Sequence, residues 1–225
     1  MMDRTDGDHD ASGQIVARER PELLMVCGFV GLIGSIVPLF TIVWADIAAG
    51  NHDFIADSIS DLARGPDRFI MDFGFYAAAA GLMALAIGAA HAHLGRTGWS
   101  LGILALSLAA LVVVMLGLWD AFGRTAEGDG MAVHTQLSFI LAPLFLVGPL
   151  FMATAIGELH RGLRWSFVAA GVVWFVFAAL FKLTPDNIDG IFEKIAFAST
   201  YLWTLPLATV LFRRGYDRSH RLAET

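Results

Sequence analysis

Residues 99–119 read WSLGILALSLAALVVVMLGLW, an apolar run without one charged side chain. About 20 such residues carry a helix across the hydrocarbon core of a bilayer, where only a helix or a closed barrel satisfies its own backbone. Working outward, 23–45, 70–90, 135–156, 165–181 and 191–212 follow the same rule. The 225-residue chain is 56% hydrophobic and 16% charged, with a mean hydropathy of +0.64, too apolar for an ordinary soluble domain. The expected fold is all-α: a polytopic membrane protein with a six-transmembrane-helix bundle over 23–214, a polar tail at 1–22 and a second tail at 215–225.

Composition removes several classes. The single cysteine, Cys27, lies inside the first run, so neither an internal disulfide nor a multi-cysteine metal site is expected. A net charge of −6 without a basic stripe argues against nucleic acid. The polar, acidic start ahead of a long first run is unlike a cleavable signal, so that run is expected to stay as a helix. Ten arginines fall on the side of the termini and five arginines and lysines on the other, which predicts both termini in the cytoplasm. Gly28, Gly31 and Gly34 in the first run, with Ala77, Gly81, Ala84 and Gly88 in the second, have the small-residue spacing that lets membrane helices approach closely. Pro38, Pro143, Pro149 and Pro206 fall inside spans and are expected to kink them.

The chemistry concentrates between the first two runs, in His52-Asp53-Phe54-Ile55-Ala56-Asp57-Ser58-Ile59-Ser60-Asp61-Leu62-Ala63-Arg64. Read as a helix, this segment places Ile55, Ile59 and Leu62 on one side and Asp57 and Asp61 on another. It is expected to be a short interfacial helix in the first outer loop, its apolar side toward lipid or bundle. Each span adds one titratable group near its outer end: Asp46, Asp72, Asp120, His134, Lys182 and Glu193. They predict a polar ring at the bundle mouth, although helix ends lie at the membrane interface, where charge costs little. A short loop makes spans three and four antiparallel neighbours, so Asp120 is expected near His134, as a carboxylate orienting an imidazole. On the other side, His91 and His93 alternate on a helix and point about 200° apart, which disfavours a zinc site with His160. No histidine sits mid-span for haem, and neither metal nor cofactor is expected. No charged residue lies deep in a span, which counts against an ion-coupled transporter.

Three sets of residues carry a family resemblance. Ser58-Ile59-Ser60-Asp61-Leu62 is similar to an ISxLG signature, His134 opens the fourth span, and Gly190-Ile191-Phe192-Glu193-Lys194-Ile195 leads toward Trp203. Their order over 23–214 resembles the domain of unknown function 998 family, six-helix integral membrane proteins of bacteria and archaea. Ala63 replaces the usual glycine, and Glu193-Lys194 stands where glutamine and arginine are common. The resemblance implies a bacterial cytoplasmic (inner) membrane protein and this residue set, but no reaction. The expected function is binding of a membrane lipid head group or other amphiphile in an extracytoplasmic polar mouth, alone or as an accessory subunit of a membrane complex. Asp46, Asp61, Asp72, Lys182, Glu193 and Trp203 would contact the ligand. The alternative is a membrane-embedded hydrolase or transferase on a lipid-like substrate, with His134 as general base, Asp120 orienting it, and Ser58 or Ser60 as nucleophile. A transporter is the third reading.

Overall fold

The computed structural model describes residues 19–95, 97–122 and 129–224. The tail 1–18, the Gly-rich stretch 123–128 and the side chain of Asp120 lie outside the described residues. The helices are α1 (Pro21–Ala49), α2 (Phe69–Ala92), α3 (Thr97–Phe122), α4 (Asp129–Leu159), α5 (Arg161–Leu183), α6 (Asp189–Ser199) and α7 (Tyr201–Ala223), with a 3-10 turn at Ile59–Ala63. Among the described residues six spans are long and apolar enough to cross a membrane, α6 and α7 together forming the sixth, so the chain is a multi-pass membrane protein.

The spans form a closed ring in chain order, α1 against α2, α2 against α3 and so on, with α7 returning to α1. Short connections from α2 to α3, α4 to α5 and α5 to α6 make those neighbours antiparallel. Where α1 crosses α2, a Cβ on Gly34 would lie 2.5 Å from the Gly81 Cα. Only glycine permits so close an approach, as the small-residue spacing predicts. At the end carrying the termini, α2 also meets α7. Leu24, Leu85, Met152, Ile156, Leu207 and Leu211 are fully buried and fill the bundle. Toward the opposite end, here termed the mouth, it does not close.

The sixth span departs from the single run expected at 191–212, because α6 ends at Ser199 and α7 begins at Tyr201. Here Ser199 Oγ donates to the Ala196 carbonyl at 2.6 Å and Thr200 Oγ1 to the Phe197 carbonyl at 2.7 Å. Such back-bonding competes with the helical ladder and bends it. Farther along, Pro206 has no N–H for the Leu202 carbonyl, and Ser166 Oγ of α5 donates to that oxygen instead.

At the terminal end Glu19 receives two hydrogen bonds from Arg214, at 3.0 and 2.7 Å, and pairs with Arg218 at 2.9 Å. The Arg20 N–H donates to His91 Nε2 at 2.6 Å, tying the start of α1 to the end of α2. Burial pushes the Glu19 carboxyl up, but the Arg214 hydrogen bonds and the Arg214, Arg218 and His91 charges outweigh it and hold it below its ordinary value. A carboxyl lowered by folding stabilises the fold above its unfolded pKa and loses that contribution as pH falls through the folded value. Replacing Glu19 with glutamine should therefore destabilise the protein by about 1 kcal/mol at neutral pH. Paired thermal melts at pH 7 and below about pH 4 check this, with the gap between variant and parent closing in acid.

Candidate functional site

The segment after α1 is shaped by side chains that bond their own backbone. Asp53 Oδ1 accepts from the Ile55 and Ala56 N–H groups at 2.8 and 3.2 Å, which holds its carboxyl below the usual range. His52 is anchored at both ring nitrogens, Nδ1 to Asp46 at 2.6 Å and Nε2 to the Ser58 carbonyl at 3.2 Å. Ser58 and Asp61 then form a reciprocal capping box that opens the 3-10 turn. These local bonds break up the continuous helix expected over this segment. The apolar pattern holds in part: Ile59 and Leu62 are buried against the bundle, whereas Ile55 is half exposed.

That segment docks on the first turn of α6 through backbone as much as through side chains. Ile191 N–H donates to the Ile55 carbonyl at 2.9 Å, and the buried Lys194 Nζ donates to the Asp57 carbonyl at 2.6 Å. Phe54 covers the same ammonium, its ring centroid 4.9 Å away. A Cβ at Gly190 would collide with the Asp57 carbonyl, so glycine is required for the contact. One turn on, Glu193 accepts the Ile59 N–H through Oε2 and the Ser60 hydroxyl through Oε1 at 3.1 Å. Ser60 Oγ also lies 2.9 Å from Nε2 of His134, itself buried near the start of α4. The motifs at 58–62, 134 and 190–195, far apart in sequence, thus share one hydrogen-bonded cluster.

Proton counting defines what this cluster can do. An ionised carboxylate only accepts hydrogen bonds, and a hydroxyl has one proton to give. With that proton on Glu193, Ser60 Oγ accepts from His134 Nε2–H. The imidazole then does not act as a base toward Ser60.

Below the cluster lies a cavity of about 650 Å³. Ser60, His134, Glu193 and Lys182 stand at its mouth, and its walls are mainly apolar, from Met71, Phe75 and Leu82 on α2 to Phe145 on α4 and Trp174 on α5. Its lining includes Phe139, Phe175 and Leu183, which are 64%, 58% and 80% exposed, so it communicates with the outside of the bundle between α4 and α5. A lateral opening on a membrane-spanning bundle faces lipid.

The other residues singled out in the sequence occupy distinct places. Asp46 holds His52, Ser58 is engaged in its capping box, and Asp61 pairs with both Ser58 and Arg64, the latter at 3.3 Å. Asp72 lies in the first turn of α2 and is not part of the cavity wall. Lys182 is at the cavity rim, exposed, with its ammonium 4.2 Å from the Phe181 ring centroid. Trp203 is fully buried beside Phe145 rather than on the wall. Since the Asp120 side chain falls outside the described residues, its pairing with His134 does too. Among the described residues no group of three or more His, Cys, Asp or Glu is placed to hold a metal ion.

Sequence reasoning missed Lys194 as a latch and Tyr201 as part of the wall. The available signal for Lys194 was its spacing, one helical turn after Gly190 at the start of a span. Tyr201 lay inside an apolar run and carried no signal.

Comparison with known proteins bears on the whole arrangement. A family model described as "Protein of unknown function (DUF998)" matches residues 32–210. No curated protein and no solved structure matches the chain. The matched region covers most of the chain and includes all three motifs that meet at the mouth. This six-helix membrane protein therefore belongs to the DUF998 family.

Proposed function

We propose that this protein binds an amphiphile taken from the membrane, its polar head at Ser60, His134 and Glu193 and its apolar chain in the cavity. The observation that carries the reading is the 650 Å³ cavity, apolar along its walls and polar at one end. Ligand sites of this volume, apolar with a few polar groups fixing orientation, are the usual form of small-molecule pockets. The opening between α4 and α5 supports access from the bilayer. The ten-to-five bias of arginine and lysine supports an orientation with both termini inside, which turns the mouth outward, and the family supports a bacterial cytoplasmic membrane location.

The test is to fill the cavity. Ala178 lines it, and Ala178→Phe places a ring in the void. Protein purified in mild detergent and extracted for mass spectrometry should carry about tenfold less co-purified amphiphile in the variant, with unchanged or higher thermal stability. Equal amounts in parent and variant would remove the cavity as the binding site.

A second reading rests on the 2.9 Å approach of Ser60 Oγ to His134 Nε2, the spacing of a nucleophile and its base. Catalysis by this pair needs the Ser60 proton to leave Glu193 and face the imidazole. Ser58, whose hydroxyl is held by Asp61 at 2.7 Å, does not compete for that role. A serine-directed fluorophosphonate separates the readings: labelling of Ser60 that His134→Ala abolishes favours the enzyme, and an unlabelled protein favours binding alone.

A further inference from the structure

The hydroxyls lining the cavity point to the chemistry of the occupant. Ser35 donates to the Gly31 carbonyl, Thr41 to Pro38, Ser138 to His134, Thr200 to Phe197 and Thr204 to Thr200, at 2.7 to 3.2 Å. Ser60 donates to Glu193. A hydroxyl has one proton but two lone pairs, so each of these groups presents only acceptor capacity to the interior. The Trp174 indole N–H is likewise committed, to the Ala142 carbonyl at 2.9 Å. Glu193 adds two oxygens at the mouth, which accept from Ile59 and Ser60. The exceptions are Lys182, at the exposed rim, and the Tyr201 hydroxyl, which has no hydrogen bond among the described residues and both donates and accepts. A head group offering only acceptors, such as a carboxylate or phosphate, would face the lone pairs of Ser60 and the wall hydroxyls. A head group offering N–H or O–H would meet them with complementary protons.

Size narrows the class further. A water molecule occupies about 30 Å³ of liquid, and a methylene group about the same, so 650 Å³ takes on the order of 20 heavy atoms. Glu193 and Thr204 both line the cavity and lie about 16 Å apart along the sixth span at ~1.5 Å per residue. These dimensions suit one extended chain with a small head inside the bundle.

We infer that the occupant is a single-chain amphiphile with a hydrogen-bond-donating, non-anionic head, an alcohol or an amine. The inference rests on the amphiphile-binding reading above and specifies its ligand. The test uses the full chain in phosphatidylcholine nanodiscs, loaded with a bromine-bearing tetradecanol whose occupancy quenches Trp174 on the wall, with Trp174→Phe identifying that component of the signal. Tetradecylamine, tetradecanol, myristate, tetradecyl phosphate and dimyristoylglycerol then compete for the site. The amine and the alcohol should displace the probe at roughly tenfold lower concentration than either anion, and the two-chain glyceride should not displace it. Anions competing equally well would overturn the head-group assignment, and an effective glyceride would overturn the single-chain assignment, each leaving amphiphile binding in place. Quenching of Trp174 by brominated myristate but not by the brominated alcohol would likewise overturn the head-group assignment alone; if neither probe quenches Trp174, amphiphile binding itself falls, and this inference with it.

Discussion

Replacing Trp203 with alanine should destabilise the protein by about 3 to 5 kcal/mol and lower its melting temperature by roughly 10 °C. Trp203 is fully buried, edge-on to Phe145 with centroids 6.2 Å apart. Its ring edge fits against Gly148, where a Cβ would lie 2.5 Å from Trp203 Cη2. Phe145 in turn lies 4.8 Å from the Trp174 ring, so Trp203 supports two aromatic side chains on the cavity wall. Deleting the indole removes dispersion contacts that lipid cannot restore inside the bundle, and leaves a void joined to the cavity through Phe145. Trp203→Phe keeps most of the volume and should lose less than half as much. The check is a set of thermal melts in one detergent at fixed lipid content. A Trp203→Ala variant melting within a degree or two of the parent would contradict the packing described.

The second large effect is expected at Glu193. Alanine there leaves the Ile59 N–H without its acceptor, at about 1 to 3 kcal/mol, whereas the half-buried Ser60 hydroxyl can turn to His134 Nε2. The loss is local, because Glu193 joins α6 to the 3-10 turn. Hydrogen exchange at the Ile59 amide should accelerate by at least about tenfold, and trypsin should cut after Arg64 well before the rest of the chain. Glutamine keeps one carbonyl acceptor but turns an NH2 group toward a donor, so Glu193→Gln should fall between parent and alanine. Unchanged protection of Ile59 in the alanine variant would show that the segment is held without Glu193. The remaining attachments, Ile191 N–H to the Ile55 carbonyl and Lys194 to the Asp57 carbonyl, then account for it.

The all-α membrane bundle was legible in the chain because the bilayer imposes one strong local constraint. A run such as 99–119 has no way to satisfy its backbone in hydrocarbon except as a helix, and the positions of six such runs set the topology. The packing of α1 on α2 was legible for a similar reason, since glycine spacing records backbone approach directly. His134, Ser60 and Glu193 were each visible as polar groups near span ends, but their meeting was not. Their separation along the chain is bridged only once α4 and α6 take their places in the ring and Gly190 admits the Asp57 carbonyl. Local sequence also misled over the 52–64 segment, where apolar spacing suggested a helix while Asp53 and Ser58 turned their side chains onto their own backbone. The cavity left no trace in composition at all, since its walls are the same leucines and phenylalanines that fill a bundle elsewhere. Sequence therefore determined the membrane spans and their close packing, through constraints that act within a segment or along a helix face. Only the tertiary structure decided which polar groups share a site, which hydroxyls retain a proton to offer, and where the bundle stays open, because each depends on groups brought together from different spans.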